Sequence, residues 1–157
     1  MRIKNFNKFN EAKMFDDYSE LLSHLEEYLE KTYIQKPQEW KKKLKEIIES
    51  SDSYRFISYS INGLIEEIEK TKSNLENFKS DINSHIKELD EIYKVSGTLS
   101  DKDDKAYDDL DDLDTRVDNY IDSIDEYIEE LKSVAKSYLD IDDTLPYLLK
   151  WDFKKYY

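Results

Sequence analysis

The chain has 157 residues, 37 Asp and Glu against 24 Lys and Arg, a net charge of −13 and no cysteine. Disulfides and thiolate metal sites are therefore excluded, and so acidic a chain disfavours direct contact with nucleic acid or anionic membrane while favouring basic partners. No apolar run approaches the ~18–20 residues that cross a bilayer, and the first stretch lacks a signal-peptide core, so a soluble, cytoplasmic, single-domain protein is expected. A mean hydropathy of −0.88 is that of many disordered chains. Against disorder stand 13% aromatics, regular apolar spacing and only two Gly and two Pro to interrupt helices. The expectation is an all-α fold.

Residues 1–12 read as a basic, aromatic leader without helical period, and residues 13–157 as one helical domain. In Phe6, Phe9, Asn10, Glu11 and Ala12 the leader resembles the head-targeting peptides of internal head proteins in T4-like phages. Those peptides carry spaced aromatics and are cut after an aliphatic-x-Glu site; Phe9 stands where they prefer Leu or Ile. The resemblance implies a phage origin and cleavage after Glu11. The alternative is a frayed terminus, or a small strand docked on the body.

A first helix is predicted from Lys13 to Thr32, with Tyr18, Leu21, Leu22, Leu25, Tyr28 and Leu29 on one face. Pro37 suits the first turn of a second helix, where Trp40, Leu44, Ile47 and Ile48 share a face and Lys41, Lys42, Lys43 and Lys45 make a basic cluster. Ser51-Asp52-Ser53 offers N-cap chemistry to a long antiparallel coiled-coil hairpin over residues 54–139. Its first arm places Ile57, Ile61, Leu64, Ile68, Leu75, Phe78, Ile82, Leu89 and Ile92 at alternating steps of four and three, with Thr71 and His85 filling the gaps. The return arm repeats the pattern at Leu110, Leu113, Val117, Ile121, Ile124, Ile128, Leu131, Ala135 and Tyr138. This spacing keeps one apolar seam facing a partner over many turns. Gly97 is placed to end the first arm in the left-handed conformation.

Tyr54, Phe56 and Tyr59 make the start of the hairpin apolar on several faces, which predicts more than one neighbour there. The two shorter N-terminal helices and a C-terminal helix starting near Pro146 are accordingly expected to pack at that one end. Residues 90–125 would then project as an acidic arm. Gly63 is read as a point of close packing within the body.

Charge is concentrated on the return arm, since residues 101–143 hold 17 acids against 5 bases. Asp104, Asp108, Asp111, Asp118, Asp122, Asp125 and Glu129 recur at steps of four and three beside the seam, and Asp101, Asp103, Asp109, Asp112 and Asp114 thicken the row. Carboxylates at such spacing repel one another, and Asp forms helix less well than Glu. The row repeats about every 5 Å along the helix, near the phosphate spacing of a nucleic-acid strand. It reads as a phosphate-backbone imitation, with a solvated acidic face as the plain alternative.

Other chemistry finds little support. The acid-rich run from Asp101 to Asp112 resembles a calcium loop but lacks an acid or amide at the fifth position (Lys105), Gly at the sixth (Ala106) and Glu at the twelfth (Asp112). No Gly-rich phosphate loop, nucleophile elbow or enclosed carboxylate pair is present, and His85 is read as a seam residue fixing register. No catalytic, cofactor or metal site is expected. The expected function is a non-enzymatic, phage-encoded inhibitor that fills the basic channel of a host nucleic-acid-binding protein, similar in charge and size to acidic anti-CRISPR and other DNA-mimic proteins. Its partner-binding residues would be Asp104, Asp108, Asp111, Asp112, Asp118, Asp122, Asp125 and Glu129, and a secondary patch would be Lys41, Lys42, Lys43, Lys45, Trp151 and Phe153. The alternatives are an internal head or scaffold-like protein inside the virion, and a coiled-coil adaptor that forms a homodimer through the seam or the Trp151/Phe153 patch.

Overall fold

The computed structural model describes residues 3–4, 14–50, 53–136 and 146–153. Among these, the fold is all-α apart from one antiparallel pair of two-residue strands, β1 (Ile3–Lys4) and β2 (Met14–Phe15), with Ile3 opposite Phe15. Four helices follow: α1 (Tyr18–Leu29), α2 (Lys36–Ser50), α3 (Tyr54–Ser96) and α4 (Asp101–Lys136). A π-helical turn, Glu30–Ile34, joins α1 to α2. Residues Phe6, Phe9, Asn10, Glu11, Ala12, Asp52 and Tyr138 lie outside the described residues. The long helices α3 and α4 pack against each other as a helical hairpin, as the paired seams predict.

Local chemistry sets the helix ends. The Asp17 carboxylate accepts the Glu20 N–H at 2.8 Å, so α1 begins five residues later than the apolar spacing suggests; Met14 and Phe15 are spent on β2. Ser53 caps α3, accepting the Phe56 N–H at 3.4 Å. Gly97, at φ 75°, closes α3, and its N–H donates to the Tyr93 carbonyl at 2.7 Å. The Ser100 hydroxyl then caps α4 through the Asp103 N–H.

The chain divides into two compact units, residues 1–33 with 74–118 and residues 34–73 with 119–157. In the first unit, Leu75, Phe78, Ile82 and Leu89 of α3 meet Ala106, Leu110, Leu113 and Val117 of α4, all buried. Asn83 donates to Asp114 at 2.9 Å, and Lys79 lies 3.4 Å from Asp118. The α3 position falls as the α4 position rises, which makes the pair antiparallel. The third member of this core is α1, which buries Tyr18, Leu21, Leu22, Leu25 and Leu29. Tyr18 donates to Glu88 of α3 at 3.1 Å, while Lys102 of α4 donates to Asp17 at 2.6 Å. Phe15 of β2 tilts onto His24 of α1, 5.1 Å between ring centres.

The first unit corrects the expected placement of α1. This helix packs on the hairpin half that holds the 97–100 connection, rather than beside the start of α3. Residues 90–125 are therefore no bare arm, because α1 reaches both Lys102 and Arg116. An amphipathic helix carries one apolar stripe, and a seam that repeats along a hairpin gives that stripe several places to dock.

In the second unit, α3 supplies Ile57, Ile61, Leu64, Ile65 and Ile68, and α4 supplies Ile121, Ile124, Ile128, Leu131, Val134 and Ala135. The Ser58 hydroxyl donates to the Ala135 carbonyl, holding the two backbones close. Trp40 and Leu44 of α2 are buried here, as are Leu148 and Phe153 of the C-terminal segment, where residues 146–149 make one helical turn. Phe153 sits among Trp40, Tyr120 and Tyr127, with ring centres at 5.9, 6.3 and 5.0 Å. Trp151 rests against Tyr127 and donates to Ser123 at 3.4 Å.

Two further expectations fail in this unit. Tyr54, Phe56 and Tyr59 are exposed rather than covered by several neighbours. A Cβ added at Gly63 would meet nothing within 4 Å, so no described element packs closely there.

Candidate functional site

α4 carries the acidic row because its other face is fixed in the seam. In the first unit, Ala106, Leu110, Leu113 and Val117 point inward, which turns Asp104, Asp108, Asp111 and Asp112 outward to solvent. Arg116 approaches Asp112 at 3.1 Å and Glu26 of α1 at 3.5 Å. Lys102 is engaged with Asp17, and this hydrogen bond is the main cause that lowers the Asp17 pKa. Lys79 is shared between Asp114 and Asp118. Among the described residues, no base pairs with Asp104, Asp108 or Asp111.

Asp114 departs from the row. It turns toward Asn83 and Lys79 of α3, and burial, outweighing the lysine, raises its carboxyl above the usual range. Tyr107, on the same flank, has its phenol raised mainly by the charge of Asp90, with further contributions from Asp111 and Asp108. The local field is strongly negative, as clustered carboxylates in one Debye length should make it.

In the second unit the row is partly neutralised. Asp125 pairs with Lys72 of α3, and Glu129 lies 3.5 Å from Lys132, which also reaches Glu69 at 3.1 Å. Asp122 is exposed with no base beside it among the described residues. Lys72 and Lys79 are the participants that the sequence reading missed. They stand seven residues apart on α3, the spacing of one heptad position, and that was the available signal.

The expected secondary patch is broken up. Phe153 is buried and Trp151 half-buried, both turned into the aromatic core rather than outward. Lys41 lies over the Phe153 ring, 5.8 Å from its centre, and Lys43 pairs with Glu67 at 2.6 Å. Of this patch, Lys42 and Lys45 remain as exposed bases without such contacts among the described residues. A small half-open cavity of about 100 Å3 lies beside Pro37, Lys41, Tyr120 and Phe153.

His85 is fully buried in the α3 seam of the first unit, its Nδ1 3.1 Å from Glu88. Glu88 therefore joins the seam histidine to Tyr18 of α1. Among the described residues no group of three or more His, Asp or Glu is arranged to hold a metal ion, and no helix is long and apolar enough to cross a membrane. Compared with known protein families, with characterised proteins and with solved structures, the chain matches none.

Proposed function

We propose that this chain is a non-enzymatic binding protein that presents Asp104, Asp108, Asp111 and Asp112 of α4 to a basic, nucleic-acid-binding protein and occupies the channel of its phosphate backbone. What supports the reading is the fate of the bases nearby. Lys79 and Lys102 are drawn to other carboxylates, and Arg116 to Glu26 and to Asp112 at the edge of the row. Among the described residues this leaves Asp104, Asp108 and Asp111 as an outward, unpaired run at helical steps of about 5 Å. Asp holds its charge on a short side chain, so the row resembles a charged backbone more than a set of mobile tips. The paired stretch at Asp125 and Glu129 contributes less. With the phage origin that the leader's resemblance implies, such a protein would inhibit a host defence or nucleic-acid-processing factor, a CRISPR effector being one example.

The test uses the parent and a variant carrying Asp104→Asn, Asp108→Asn, Asp111→Asn and Asp112→Asn, offered to a nuclease-treated bacterial lysate. The parent should retain a nucleic-acid-binding protein, release it on adding oligonucleotide, and lose it steeply with salt, since the attraction is screened within roughly 10 Å at 0.1 M. The Asn variant should retain much less. Equal capture by both chains, or a captured protein that still binds its oligonucleotide in full, would overturn the reading.

A further inference from the structure

One flank of the hairpin in the first unit carries more than charge. Cross-helix pairs fix its register: Lys79 of α3 meets Asp118 of α4, Asn83 meets Asp114, and Asp90 meets Tyr107 through a side-chain hydrogen bond. Each step toward the 97–100 connection advances α3 by three or four residues and takes α4 back by as many. Three residues beyond Asp90, the same register sets Tyr93 opposite Asp104. Tyr93 is 54% exposed, and Tyr107 is half-buried with its hydroxyl engaged by Asp90. Asp108 and Asp111 both act on the Tyr107 phenol by their charge. Two accessible rings therefore stand among the same carboxylates that form the outward row.

Rings set between charges distinguish one form of nucleic acid from the other. A duplex hides its base faces in the stack, so a protein built for duplex reads phosphates and groove edges. Such a protein has no use for an open ring face. A channel built for a single strand adds, to its basic groove, aromatic side chains on which the bases stack. Helix rise sets Tyr93 about 5 Å beyond Tyr107 along the hairpin, on the order of one nucleotide step. Charge agrees, since residues 90–111 hold eight acids against three bases and attract a basic surface. We infer that the partner is a protein that holds single-stranded nucleic acid, its aromatic platforms stacking on Tyr93 and Tyr107 while its basic groove takes Asp104, Asp108 and Asp111. This rests on the proposed function above, and narrows its partner from nucleic-acid binders in general to single-strand binders.

The test takes the protein that the parent chain retains from a nuclease-treated bacterial lysate. Its release is titrated with a single-stranded oligonucleotide and with a duplex of the same sequence. Its affinity is then measured for the parent, for Tyr93→Ala/Tyr107→Ala and for Tyr93→Phe/Tyr107→Phe. Neither ring belongs to the buried seam, so circular-dichroism melts should report intact folds. The single strand should release the protein at a concentration about ten-fold lower than the duplex. The Ala pair should bind at least about ten-fold more weakly than the parent, and the Phe pair, which keeps both rings, as the parent does. Release by duplex at an equal or lower concentration, an Ala pair held as tightly as the parent, or a Phe pair as weak as the Ala pair would overturn the inference and leave the acidic-row reading standing. Failure of the parent to retain any nucleic-acid-binding protein, or equal retention by the four-Asn variant, would overturn both.

Discussion

The two units are built on the same pair of helices yet are held by different chemistry. The first unit closes its aliphatic seam with a preceding helix and fastens it through polar links: Tyr18 to Glu88, Lys102 to Asp17, Arg116 to Glu26. The second unit closes with aromatic rings, Phe153 standing among Trp40, Tyr120 and Tyr127. Polar links need both partners to be present and correctly placed, whereas ring packing depends on filled volume. The split is one of degree, since Tyr28, Tyr33 and Phe78 also meet in the first unit and Lys72–Asp125 and Lys132–Glu69 also pair in the second. The first unit leans on charge and the second on shape.

The largest expected effect breaks the shape side. Phe153→Ala empties the centre of the aromatic core and should cost about 3–5 kcal/mol in urea unfolding, with an early loss of tryptophan signal. Should that variant unfold with the parent's midpoint, the C-terminal segment contributes no packing.

Alkaline pH should act on both units. Burial is the leading cause that raises the phenols of Tyr18, Tyr33 and Tyr127 above their ordinary value of 10.0, and Glu88 adds to the effect at Tyr18. A raised phenol keeps its proton in the fold, so the stability it confers is complete below about pH 10 and is lost as the pH climbs above that value. Thermal melts at stepped pH should show a falling midpoint from there upward; a flat profile contradicts the burial of these rings.

A conservative pair sharpens the contrast. Tyr18→Phe deletes a hydrogen bond to a carboxylate and should cost about 1–2 kcal/mol. Tyr127→Phe removes a buried hydroxyl that has no partner among the described residues, and should leave stability unchanged or slightly improved. Equal losses in chemical unfolding would mean that the second unit also relies on polar links. The smallest effect belongs to Gly63→Ala, which should stabilise the fold in thermal melts by up to about 1 kcal/mol; a loss of stability would reveal a contact inside the chain.

Much of the framework was legible before the structure. The steps of four and three through Ile57 to Leu89 and Leu110 to Ala135 define seams that each need a facing helix, and the short connection around Gly97 makes each the other's nearest mate, with Ser53 marking the start of the pair. What could not be read is where α1 docks, because Tyr18 to Leu29 specify an apolar stripe without naming its mate. The acidic row was visible residue by residue, but the inward turn of Asp114 and the pairing of Asp118 and Asp125 depend on Lys79 and Lys72 from the facing helix. Trp151 and Phe153 read from sequence both as part of a C-terminal segment packed on the body and as an interaction patch; only the packing holds, because an aromatic tail looks the same in sequence whether it seeks a partner or its own core.

The uneven distribution of chromophores has a practical consequence. The chain contains two tryptophans, Trp40 and Trp151, and both lie in the second unit. Intrinsic indole emission is therefore blind to events confined to the first unit, while backbone ellipticity weighs both. Recording the two signals along one denaturant titration turns the native chain, without any label, into its own two-channel reporter. Coincident transitions would establish that the units melt as one cooperative block, and separated transitions would give each unit its own free energy.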